Sequence, residues 1–160
     1  ILIADDLLAA GLSAARFAFM WAVNVKHAKV YHLHVNRMQE AEYIATFFTS
    51  YSYGYAPVMP PFNPVELYQQ YTASLRLKLE NRMKEIDLDP AQLLKGRYET
   101  LLLSGHLNDE IAQAADEAAA DVIVFGRHHL IHSKPLGIGA ISYRMMLEEK
   151  RAVVVMPVNS

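Results

Sequence analysis

Short apolar runs separated by amphipathic stretches set the reading of this chain. Ile1-Leu-Ile-Ala4 is continuously apolar and ends at Asp5-Asp6, which predicts a short buried strand. Ala9 to His27 is long, alanine-rich and nearly uncharged, which predicts a first helix. Lys29-Val-Tyr-His-Leu-His-Val35 alternates and predicts a second strand. Leu67, Tyr71, Leu75, Leu79, Met83 and Ile86 recur at helical spacing, so Val65 to Ile86 predicts an amphipathic helix, broken by Asp87-Leu-Asp-Pro90. A third strand is predicted over Tyr98 to Leu103, and a fourth over Asp121 to Phe125. Between them lies an alanine-rich helix ending at Ala119, with Asn108 as its expected N-cap. Ala140 to Lys150 is the last predicted helix and Ala152-Val-Val-Val-Met156 the fifth strand, closed by Pro157.

Strands that are continuous apolar runs, alternating with helices, predict an α/β fold. Its expected form is a single open five-stranded parallel sheet with helices on both faces, of Rossmann-like type. The 160 residues fit one domain, 1–160, with no internal repeat or linker. Residues 36–64 are the exception, a long irregular insertion. Within it, Tyr43 to Val65 carries no charge but holds Phe47, Phe48, Tyr51, Tyr53 and Tyr55, with prolines at 57, 60, 61 and 64. So many aromatics argue against disorder. They leave packing on its own domain, cover for a ligand site, or a protein partner at 43–65 as the readings.

Leu7 to Val25 raises the question of a membrane span, since Arg16 is its only charge. Placed mid-segment, that arginine costs roughly 2.5–3.5 kcal/mol in a bilayer, so a helix packed on a sheet is expected and no membrane partner. A net charge of −2 provides no general attraction to nucleic acid, and none is expected as a partner. The absence of cysteine fits a cytoplasmic protein. No signal-peptide pattern opens the chain, and because Ile1 rather than Met stands first, residues ahead of it are expected.

The segment with most chemistry is Asp121-Val-Ile-Val-Phe-Gly126, its following loop, and Gly139-Ala-Ile-Ser142 at a helix start. A glycine ending a strand and another opening a helix expose backbone N–H groups beside the positive helix end, which is how phosphates are cradled. Arg127 and Lys134 flank the loop as candidate anion contacts or as solvated charges.

These residues resemble the universal stress protein family. The opening strand ending at Asp6, the His34-Val35 ending of the second strand, and the closing Val-Val-Val-Met-Pro-Val158 are similar to the family's. Nucleotide-binding members carry a glycine, two residues, a second glycine, nine residues, then Gly-Ser or Gly-Thr. Here that spacing is kept as Gly126, His129 and Gly139-Ala140. The resemblance implies ATP or AMP as ligand, with Asp6, Val35, Gly126, Arg127, Gly139, Ala140 and Ser142 as its contacts. It also implies a homodimer paired through the C-terminal strand, 152–158. His129 replaces a glycine, Ala140 replaces a hydroxyl residue, and Leu7-Leu8 replaces the usual Gly-Ser. Losing that hydroxyl removes a hydrogen bond worth roughly 1.5–3 kcal/mol, so weakened or lost nucleotide binding is expected, with Ser142 as the nearest substitute.

Two other function classes stay open. One is an enzyme that hydrolyses adenine nucleotide. Against it, no nucleophile elbow or Walker lysine is present, and Asp5 and Asp6, adjacent in a strand, are expected on opposite faces. No catalytic residue is therefore assigned. The other is a metal- or small-ligand-binding protein built on His34, His106, His128, His129 and His132. His-His-x-x-His on a loop is not a recognised metal spacing, and no metal ligand is assigned.

Overall fold

The protein is described from a computed structural model that covers residues 1–37, 39, 42, 43, 45, 46, 63–127 and 140–157. Its strands are the apolar runs: β1 (Leu2–Ala4), β2 (Val30–Asn36), β3 (Tyr98–Ser104), β4 (Val122–Gly126) and β5 (Ala152–Met156). All pair in parallel, in the order β3-β2-β1-β4-β5. β1 is central, with Ala4 registered against Leu33 on one side and Phe125 on the other. Buried on both faces, it has no polar position to spare.

α1 (Ala9–Asn24) lies on one face, and the small side chains of Ala14, Ala15, Ala18 and Ala22 let it approach closely. α2 (Pro64–Asn81) runs on into a tighter turn, Arg82–Ile86, and α3 (Pro90–Leu94) follows. Phe19, Met83 and Leu94 fill this face's core. On the other face, α4 (Leu107–Glu117) contributes Ile111, Ala114 and Ala115, and α5 (Ala140–Glu148) contributes Met145, against Leu2, Leu33 and Ile123. Five parallel strands between two helical layers are the expected α/β fold. Among the described residues, no helix is long and apolar enough to cross a membrane.

The boundaries differ from expectation where local chemistry intervenes. α1 stops at Asn24, and His27 takes a left-handed backbone. Asn63 caps α2 by accepting from the Val65 amide at 3.0 Å, with Pro64 at the first helical position where its missing N–H costs nothing. Met83 and Ile86 belong to the tighter turn rather than to the helix. Asp89-Pro90, expected only as a breaker, starts α3, with the Asp89 carboxylate accepting from Ala91 and Gln92 amides. Asn108 is not a cap: α4 begins at Leu107 and Asn108 lies in its first turn. Most of the aromatic insertion lies outside the described residues. Tyr43 within it is helical and packs on α2, with ring centroids 5.5 Å from Tyr68 and 6.3 Å from Tyr71.

Candidate functional site

The order in which strands are added to the sheet reverses between β1 and β4. From β1 the sheet grows one way through α1 to β2, and from β4 it grows the other way through α5 to β5. Loops and helix starts diverge at such a point and leave a crevice at the carboxyl ends of the strands. A cleft of about 780 Å³ opens there. Leu33, Val35, Ile111 and Phe125 give it apolar walls, Tyr71 of α2 stands at its side, and Asp5, Asp6, His34, Arg37 and Ser142 supply polar groups. A mostly apolar cavity with a few convergent polar groups is the usual form of a small-molecule site.

Asp6, Val35, Gly126 and Ser142 of the expected contacts all line this cleft. Ser142 is buried on the first turn of α5. Ala140 opens that helix. Arg127 is placed by its backbone, whose amide donates to the Met156 carbonyl at 2.7 Å and extends the β4–β5 ladder. Gly139, with His128, His129, His132 and Lys134, lies outside the described residues. Among the described residues no group of three or more histidine or acidic side chains is arranged to hold a metal. Arg37, which was not singled out by sequence, provides an exposed guanidinium at the cleft.

At the β1–α1 turn, Leu7 has φ 62°, a left-handed conformation that a leucine adopts at roughly 1–2 kcal/mol. The turn is held by its own carboxylates. Asp5 Oδ1 accepts from the Leu7 amide at 2.7 Å and Asp6 Oδ1 from the Leu8 amide at 2.8 Å. Asp6 thus both bonds the approach to α1 and lines the cleft. Because the chain leaves the strand at Asp5, the two carboxylates do not diverge as strand alternation predicts: a Cβ added to Gly11 would overlap an oxygen of each. Both converge on the N-terminal turn of α1, where the helix dipole favours negative charge.

Asp5 is the more unusual of the two. Its side chain is buried and meets two partners from distant parts of the chain, while its backbone carbonyl meets a third. His32 Nε2 lies 2.9 Å from Oδ2, Arg82 Nε donates to the same oxygen at 2.9 Å, and the Asp5 carbonyl accepts from His34 Nδ1 at 2.7 Å. Arg82 also donates to the Leu8 carbonyl and to Glu85 at 2.8 Å. Since the Asp5 carboxylate only accepts, His32 presents Nε2–H to it, and in the neutral ring Nδ1 then accepts from the Tyr98 hydroxyl at 2.7 Å. Burial alone would raise the Asp5 carboxyl. The hydrogen bonds and charges of His32 and Arg82 outweigh burial and hold it below its ordinary value. Burial, then the nearby Asp5 charge, push the Tyr98 phenol well above its usual range, so it remains a hydroxyl donor.

An open parallel sheet with a ligand-sized cleft at its switch point defines a doubly wound α/β binding fold. The model of the universal stress protein family matches residues 1–155, and the chain belongs to that family. Solved structures agree on the fold. The hypothetical protein MJ0577 superposes with a TM-score of 0.66 at 19% identity, over 99% of this chain and 95% of that one. A universal stress protein in complex with cAMP gives 0.59 at 17% identity, over 99% and 95%. A family protein from Arabidopsis thaliana with AMP bound gives 0.51 at 18% identity, over 99% and 91%. No curated protein matches the chain.

Proposed function

We propose that this chain is a binding and regulatory module whose cleft takes an adenine nucleotide with reduced affinity, and that it works as a homodimer paired through residues 152–158. The observation that carries the reading is the cleft itself, about 780 Å³ at the β1–β4 switch point, with Asp6, Val35, Gly126 and Ser142 around it. Two family members with this fold hold cAMP or AMP. Reduced affinity follows from His129 and Ala140, which stand where nucleotide-binding members have a glycine and a hydroxyl residue. The dimer is supported by β5, an edge strand of five apolar residues that a second copy would cover.

Calorimetry with AMP, ATP and cAMP, using inorganic phosphate as control, tests the ligand. Wild type is expected to bind an adenine nucleotide weakly. His129→Gly/Ala140→Ser is expected to bind it about ten- to hundredfold more tightly, the worth of one restored charge-assisted hydrogen bond. If neither protein binds any adenine nucleotide, the reading fails.

A further inference from the structure

A phosphorylated ligand entering this cleft approaches Asp6 at its lining and, beneath the surface, the Asp5 carboxylate, whose side chain is fully buried. Register places Asp5 beside Gly126, one residue past the Ala4–Phe125 pair, so its charge lies at the switch point itself. Unbalanced, it would repel an anion. It is balanced from behind: the Arg82 guanidinium, 5% exposed, takes both Asp5 oxygens, with Nε at 2.9 Å and its terminal nitrogen at 3.5 Å, and grips the Leu8 carbonyl of the same turn.

We propose that Arg82 is a specificity-determining residue of the cleft, cancelling the Asp5 charge so that the site accepts a phosphorylated nucleoside rather than only a neutral one. This rests on the nucleotide reading above. A proton on Asp5 would cancel the same charge only in acid. A guanidinium does so at every physiological pH, because it does not deprotonate in proteins. It also fixes the turn that bears Asp6, so compensation and shape come from one side chain. The arrangement is readable only from the structure, since Arg82 is 77 residues from Asp5.

The test is the ratio of adenosine to AMP dissociation constants, measured by calorimetry on folded protein. In Asp5→Asn the guanidinium keeps only the half-exposed Glu85 carboxylate, at 2.8 Å, and cannot shed its charge. The net charge beneath the cleft becomes one unit more positive and the preference for AMP rises, on the order of tenfold for a unit charge near a phosphate in a partly buried site. In Arg82→Gln, read at about pH 8.5 to keep Asp5 ionised, the preference for AMP falls by a similar factor. Asp5→Asn/Arg82→Gln returns the ratio to the wild-type value. A merely structural role would weaken both ligands together and leave the ratio unmoved. An unchanged ratio in Asp5→Asn, or a shift of the same sign in both single variants, overturns the inference. If Arg82→Gln does not fold, Asp5→Asn and the double variant still decide it. Wild type that binds neither adenosine nor AMP sinks the nucleotide reading instead, and this inference with it.

Discussion

Asp5 is 4% exposed and His32 is wholly buried, beside a core whose buried members are all apolar, from Ile3, Val30 and Val124 to Phe19 and Met83. An ion buried that deeply is tolerated only when paired, and breaking such a pair typically costs about 3–5 kcal/mol. Because the folded Asp5 carboxyl sits below its ordinary value, the unfolded chain binds the proton more readily. The resulting stabilisation is complete above about pH 4, the unfolded value, and is lost as pH falls through the lower folded one. Asp5→Asn lacks this titration, so the gap in urea midpoint between wild type and Asp5→Asn should narrow below about pH 4. A gap that stays constant down to about pH 2 would mean that folding leaves the proton affinity of Asp5 unchanged. Nothing local in the sequence marks this residue, since its partners stand 27 and 77 positions away. The weak signal was His32 and His34 two apart in an apolar strand, hence on one face.

The elements that were legible are those whose apolar pattern outruns their neighbours' influence: the five strands, α1, most of α2, α4 and α5. α3 was missed because five residues are too few to show a helical period. Asn108 was misread because the chain turns two residues earlier, at His106, which has no capping side-chain bond. Gly126 was read as room for a phosphate, and it does line the cleft. A second demand acts on it too, from the packing of elements: a Cβ there would overlap the Ala10 carbonyl, where the start of α1 crosses the end of β4. Backbone offers no flexible end to move aside, so Gly126→Ala should cost about 1–3 kcal/mol as an overpacked site. Calorimetric unfolding without ligand reads this as a drop of several degrees, and an unchanged midpoint would show that α1 can shift.

At the scale of the molecule, the reversal of strand order that makes the cleft also leaves β5 at an edge, half-buried along Val153 to Met156. If the homodimer forms through this edge, a lysine at Val155 would bring like charges together across the two-fold axis. Light scattering should then find wild type as a dimer and Val155→Lys as a monomer with its fold retained. A monomeric wild type would remove the dimer from the proposal. Much of the molecule was legible because an α/β sheet is written in consecutive runs, whereas the site was legible only where it borders those runs. Asp6, Val35, Gly126 and Ser142 sit at strand or helix ends, while Arg37 and Tyr71 reach the cleft from beyond them.

The three-residue central strand has a bearing on how the molecule assembles. β1 pairs on one side with β2, some thirty residues on, and on the other with β4, where Leu2 meets Ile123. Contacts of such sequence separation close late, since the loop entropy must be met before they reward it. Of the two pairings of β1, that with β4 closes the longer loop, and it is the seam above which the cleft opens. A ligand that fits there recognises only chains in which that long loop has closed, so occupancy of the cleft doubles as a report on the joint between the two halves of the sheet.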